Sequence, residues 1–164
     1  MSASAMDLAI ELDVVTWLNT PEPIRLAGLR GRVVVLEAFQ MLCPGCAQQA
    51  LPQLGRVQEQ FSADDVVVLG LHTVFEHHEA QGSRAALAAF LHEYRYSFPV
   101  GIDRPSETGS GLPHTMAAYN MQGTPTLLLI DRYGRLRRQV FGHIPDLRLG
   151  AEIMALASES APDA

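Results

Sequence analysis

Residues Val33 to Phe39 form a nearly unbroken apolar run rich in valine, the pattern of a strand buried on both faces of a parallel sheet. Parallel neighbours need a crossover, and the sequence supplies one. Ala47, Ala50, Leu51, Leu54, Val57 and Phe61 recur at steps of three and four, which marks the buried face of a helix. A second valine-rich run, Val66 to Leu71, completes a βαβ unit with the usual right-handed connection. Pro44 in the first helical turn costs little, because the amide it lacks has no partner there. Pro52 lies inside the helix and is expected to bend it.

The remaining elements follow in order. Ser83 to Tyr94 reads as a helix on Ala86, Leu87, Phe90, Leu91 and Tyr94. A short strand from Phe98 to Ile102, a Gly/Ser/Pro-rich stretch from Asp103 to Pro113 and a brief helix from Thr115 to Tyr119 come next. Thr126 to Ile130 and Leu136 to Phe141 flank Asp131-Arg132-Tyr133-Gly134, a turn with Asp first and Gly last, and so form a hairpin. Arg135, Arg137 and Arg138 on its second strand read as a solvated edge. A helix from Asp146 to Ala157 closes the chain, with frayed residues beyond it.

At 164 residues and 48% hydrophobic, the chain suits one domain, residues 1–164, with a proper core at about 17–157. A net charge of −6, with every basic residue an arginine, argues against nucleic acid, which draws on a basic surface excess. Met1 to Asp13 shows no signal-peptide pattern and no run has the length of a membrane span. The expectation is a soluble cytoplasmic protein with no membrane partner.

Cys43-Pro44-Gly45-Cys46 holds both cysteines. A closed zinc site needs four ligands, so a lone Cys-x-x-Cys at a strand-to-helix junction reads as a redox dithiol, the alternative being a reduced, inert core pair. Cys43, at the start of the helix, faces its unpaired N–H groups and the positive end of its dipole, which favour a thiolate and make it the nucleophile. Cys46, one turn on, is the shielded resolving thiol. Pro44 and Gly45 set how many amides reach the Cys43 sulfur, and Pro44 removes one.

The element order, a parallel βαβ half, a hairpin and a closing helix, resembles the thioredoxin superfamily, and its redoxin branch in particular. Trp17-Leu18-Asn19-Thr20 with Leu29-Arg30-Gly31-Arg32, the Cys-x-x-Cys, Gly123-Thr124-Pro125-Thr126 and the Asp131 turn carry the likeness. The resemblance implies a three-layer α/β/α sandwich on a mixed sheet, with a helix and strand inserted between residues 72 and 113. It is similar to bacterial thiol–disulfide reductases and AhpC/TSA-type redoxins. It implies a thiol–disulfide oxidoreductase that acts on protein or small-molecule disulfides, takes electrons from a thiol system and needs no cofactor. Thr124-Pro125 resembles the family's cis-proline loop, where the Thr124 backbone pairs with an extended substrate; an ordinary strand-entry proline is the alternative. Glu37, six residues before Cys43, stands where thioredoxins bury an acid, and burial would raise its pKa and suit it to accept the Cys46 proton. A glutamate reaching solvent at the sheet's end is the other reading. Leu42 replaces the usual tryptophan, and Pro52 falls one residue later than the family's helix proline.

A peroxiredoxin-like peroxidase is the second reading. Peroxiredoxins carry a threonine three residues before the reactive cysteine and a proline four residues further back, where this chain has Gln40 and Leu36. A third is a copper-binding module using the thiols with His72, His77 or His78. The copper-delivering relatives space their cysteines by three residues, and no metal is expected here. Trp17 and Tyr119 are read as packing residues.

Overall fold

The computed structural model describes residues 7–108 and 111–163. The first residues of the N-terminal stretch, and Gly109 and Ser110 of the Gly/Ser/Pro-rich one, lie outside that range. The described strands are β1 (Val14–Leu18), β2 (Val33–Phe39), β3 (Val66–His72), β4 (Val100–Asp103), β5 (Thr126–Ile130) and β6 (Leu136–Phe141). They form one mixed sheet in the order β1-β4-β3-β2-β5-β6. Every residue of β2 is buried, as its apolar run requires. It pairs in parallel with β3, from Val33 opposite Val66 to Phe39 opposite His72, and antiparallel with β5.

The alternation of side chains along β2 builds the two outer layers. Val33, Val35 and Phe39 pack with Leu51 and Leu54 of α1 (Leu51–Gln60), Leu87 and Leu91 of α3 (Arg84–Glu93), and Leu149 and Ile153 of α5 (Asp146–Ala157). Val34, Leu36 and Ala38 face the other way, toward Leu26 and toward Met116 of α4 (His114–Ala118). The result is the expected three-layer sandwich, with α3 and β4 as the inserted helix and strand. A four-residue helix, α2 (His78–Gln81), precedes α3.

Four details differ from the sequence reading. β1 is a strand only by virtue of its partner: it pairs antiparallel with β4 across a register shift between Val14 and Thr16. Gly101 makes that contact possible, since a Cβ there would lie 2.8 Å from Val14 Cγ2 and 3.3 Å from Trp17 Cη2. β4 begins at Val100 rather than Phe98, because Pro99 has no N–H to give the ladder. It extends to Asp103, whose carboxylate accepts from Thr73 Oγ1 (2.9 Å) and from the N–H groups of Thr115 (2.8 Å) and Met116 (3.0 Å). The bend expected at Pro52 takes another form: residues Cys46–Ala50 make a π-helical turn, closed by Leu51 N–H to Cys46 O, and Pro52 falls in the first turn of α1. The extra residue is thus absorbed as a local widening of the helix, as one-residue insertions are. The β6 arginines are paired rather than free. Arg135 Nε and Arg137 Nη1 lie 2.9 and 3.2 Å from the buried Asp131 carboxylate, and Arg138 Nε lies 3.3 Å from Glu152.

Candidate active site

The chain leaves β2 at Phe39, turns through Gln40, Met41 and Leu42, and enters a helix at Pro44. Two short-range bonds shape the junction, Cys43 N–H to Gln40 O (3.2 Å) and Ala47 N–H to Cys43 O (3.0 Å). Both cysteines are free thiols. Cys43 reaches solvent, whereas Cys46 is fully buried. The Cys46 N–H points at Cys43 Sγ at 3.4 Å, so the sulfur sits at the mouth of the helix as the motif implies.

The Thr124–Pro125 peptide is cis and lies against the dithiol. Cys43 Sγ is 3.5 Å from Thr124 O, and a Cβ on Gly45 would meet Pro125 Cδ at 3.5 Å. Thr126 Oγ1 steadies the loop by donating to Gly123 O at 2.7 Å. Pro44, Gly45, Thr124 and Pro125 are therefore brought together with both sulfurs. Leu42 and Phe141 are about half exposed beside them, and Phe141 lies against Gly123, whose Cβ would come within 3.0 Å of its ring.

Glu37 is 3% exposed, so its side chain does not reach solvent. It shares the β2 face of Val33, Val35 and Phe39, the face that carries α1. Burial first, and the nearby Cys43 charge second, push its pKa from 4.5 to about 8. Its Oε1 has no hydrogen-bond partner among the described residues, which leaves it free to take a proton. Burial, and the hydrogen bond to Cys43, push the Cys46 thiol well above the ordinary cysteine range.

The histidines do not join the thiols as a ligand set. Among the described residues no three His, Cys, Asp or Glu side chains converge. His77 and His78 are exposed. His72 is buried beside the Phe39 ring, 5.1 Å between centroids, and its Nε2 accepts from Met41 N–H at 3.4 Å. Burial lowers its pKa to about 4, so the ring stays neutral. Trp17 and Tyr119 pack as expected, Tyr119 also donating its hydroxyl to Ile10 O.

The sequence reading missed Gln40 and Gln81, both 1% exposed. Gln40 had entered only as a residue that is not threonine. Its Oε1 accepts from the N–H groups of Phe75 and Glu76 (3.1 Å each) and from Gln81 Nε2 (3.2 Å), while its Nε2 donates to Thr124 Oγ1 at 3.4 Å. Gln81 in turn accepts from Leu42 N–H at 3.0 Å. A glutamine directly after a buried strand was the available signal, since a polar side chain there must find partners.

The sequence matches the AhpC/TSA family over residues 6–139. The chain belongs to that family. Its fold is thioredoxin-like: it superposes on a thioredoxin-like superfamily protein at a TM-score of 0.91 and 54% identity, covering 96% of this chain and all of the other. A thiol-disulfide isomerase from Corynebacterium glutamicum gives 0.89 at 42% identity, over 95% of this chain and 99% of that one. Among curated relatives, the thiol-disulfide oxidoreductase ResA of Bacillus thuringiensis is 26% identical over 79% of this chain and 65% of its own length. Protein DipZ of Mycobacterium tuberculosis is 27% identical over 92% of this chain, which spans 22% of that protein. With thiol–disulfide isomerase and oxidoreductase relatives, and a solvent-reaching and a buried thiol at this spacing, the chain is a thiol–disulfide oxidoreductase domain.

Proposed function

We propose that the chain reduces disulfides in proteins, with Cys43 as nucleophile and Cys46 as resolving thiol. The Cys43 thiolate attacks one sulfur of the substrate disulfide, forms a mixed disulfide and expels the other sulfur as a thiolate. Glu37 takes the Cys46 proton, and the Cys46 thiolate attacks Cys43 Sγ, forming the Cys43–Cys46 disulfide and releasing the second substrate thiolate. Two electrons pass to the substrate, and an electron-donating thiol system restores the dithiol. The asymmetry of the two sulfurs carries this reading, one open to a partner and the other fully buried behind it.

The direction rests on the donors around Cys43. A strong oxidant has a stabilised reduced form. Here the Cys46 N–H, at a long 3.4 Å, is the one N–H placed on the sulfur among the described residues, and Pro44 supplies none. The facing Thr124 O, 3.5 Å from the sulfur, is an acceptor and adds no donor. Little therefore stabilises the reduced state, which suits a reductant in a reducing compartment, and we assign the protein to the cytoplasm on that ground. The Thr124 backbone, at the edge of the loop facing Cys43, is the place where an extended substrate would pair by strand addition.

Equilibration with defined thiol/disulfide buffers, followed by alkylation with a mass tag, tests the assignment. A potential near about −270 mV is expected, and one above about −180 mV would turn the reading to an oxidase or isomerase of an oxidising compartment. Cys46→Ala is expected to accumulate the mixed disulfide and Cys43→Ser to abolish exchange. The peroxidase reading is disfavoured by Gln40, whose amide oxygen accepts three N–H groups and whose amide nitrogen donates to Thr124 Oγ1 where a peroxide-orienting hydroxyl would stand. Rapid peroxide consumption with a thiol reductant would restore it.

A further inference from the structure

The four-residue helix α2 is too short to hold itself, since so few residues do not repay the cost of a helical nucleus. Its entry adds strain: His77, which precedes it, sits in the left-handed region at φ 50°. His78, Glu79 and Ala80 are exposed, and Gln81 is its one buried side chain, at 1% exposure. α2 is thus docked through an amide rather than an apolar face. That amide has one orientation open to it. Leu42 N–H can only donate, so the atom 3.0 Å from it is Gln81 Oε1. Gln81 Nε2 then donates to Glu76 O at 2.7 Å and to Gln40 Oε1 at 3.2 Å. The bond to Leu42 spans 39 positions of sequence and lands beside the nucleophile. Of the other N–H groups in that turn, Met41 reaches His72 Nε2 at 3.4 Å, and Cys43 bonds within the turn, to Gln40 O at 3.2 Å. The Gln81 bond is the shortest of the three. The Leu42 side chain, half exposed, does little to fix the turn by packing.

We propose that Gln81 is a positioning residue for Cys43: from α2 it holds the Leu42–Cys43 backbone and so keeps Cys43 Sγ at the mouth of the helix, facing the Cys46 N–H. The inference rests on the roles of Cys43 and Cys46 proposed above. Gln81 acts through the backbone and bonds to neither sulfur. Release of Leu42 N–H lets the turn move, lengthens the 3.4 Å contact from Cys46 N–H to Cys43 Sγ, and leaves the Cys43 thiolate with less stabilisation. Opening of α2 and the readiness of the nucleophile are therefore coupled.

Two readouts separate positioning from bulk stability. One is hydrogen exchange at the Leu42 amide, followed by NMR. The other is the pH midpoint for alkylation of Cys43 by iodoacetamide, which follows its thiolate. Gln81→Met keeps the length of the side chain and removes its acceptor. It is expected to speed Leu42 exchange at least about fivefold, the worth of one neutral hydrogen bond. It should also raise the Cys43 midpoint by about half a pH unit, part of what one hydrogen bond to a charged group supplies. Gln81→Asn, one methylene shorter, should shift both in the same direction. Glu79→Ala, an exposed change on the same helix, should not raise the midpoint. In the wild-type protein, Leu42 N–H should exchange no more slowly than Gly82 N–H, which closes α2 on His78 O at 2.8 Å; this holds the proposal to account even where a Gln81 variant does not fold. An unmoved midpoint or unchanged Leu42 exchange in a folded Gln81 variant overturns the proposal. So does an equal rise in Glu79→Ala, or slower exchange at Leu42 than at Gly82 in the wild type. Ellman's reagent tests the underlying roles separately, since it releases one coloured thionitrobenzoate on attack by Cys43 and a second on resolution by Cys46. A wild-type protein that fails to release the first, with the alkylation shift intact, would refute the exchange roles and leave the clamp standing.

Discussion

At the scale of single residues, the site runs on unequal burial of three groups. Cys43 meets solvent, Cys46 does not, and Glu37 sits at 3% exposure with its pKa near 8. Glu37→Gln is expected to slow resolution of the mixed disulfide by about a hundredfold, the low end of what general-base catalysis supplies. The wild-type rate of that step should climb as pH rises through about 8, where Glu37 becomes a base, and the variant's should not climb there. Stopped-flow release of thionitrobenzoate from pH 6 to pH 9 reads both quantities, and an unchanged profile in the variant would remove Glu37 from the step. Cys43, Cys46, Glu37, Thr124 and Pro125 were legible in the sequence because each belongs to a motif or a buried strand. Gln40 and Gln81 were not, because their partners come from residues 75–76, 42 and 124, distant in the chain and adjacent only in the fold.

At the scale of elements, periodic patterns predicted what packing later used. β2, β5, β6 and α5 carry the expected bounds, and α3 starts one residue after its cap, Ser83, whose Oγ accepts from Ala86 N–H at 3.1 Å. β1 was invisible because Val-Val-Thr-Trp-Leu becomes a strand through its pairing with β4 rather than through its own alternation. The π turn at Cys46–Ala50 was visible only as a proline displaced by one residue. A one-residue insertion can be taken out again: deleting Gln49, whose side chain is exposed, is expected to convert this turn to regular α-helix while Leu51, Leu54 and Val57 stay on the core face. The melting temperature should move by no more than about 4 °C, the equivalent of about 1 kcal/mol at this size. Calorimetry checks it, and a collapse of the transition would mean that the wide turn is required by the packing around Cys46.

At the scale of the whole molecule, two buried titratable groups give stability a direction with pH. From 4.5 to about 8 the folded protein keeps a proton on Glu37 that the unfolded chain has lost, so Glu37 makes stability fall as pH rises. From about 4 to 6.5 the unfolded chain binds a proton at His72 that the folded protein refuses, so His72 makes stability rise with pH. The slopes oppose one another between 4.5 and 6.5; from 6.5 to about 8 the Glu37 limb dominates, and above that the raised Cys46 thiol pulls the same way. Urea unfolding should therefore show stability declining toward pH 8 by about 1.4 kcal/mol per pH unit, the value for one proton. Glu37→Gln should abolish that decline; a variant that declines in parallel with wild type would show that the limb has another origin.

One buried glutamine, Gln40, joins segments that flank three different strands, the ends of β2 and β3 and the entry to β5. For anyone recombining this chain with a homologue, those segments form a single heritable block. A chimera that imports residues 73–82 alone would strand the Gln40 amide, and one that imports residue 40 alone would orphan two backbone N–H groups in the recipient loop. Crossover points belong outside the set, so that positions 40, 75–81 and 124 travel together.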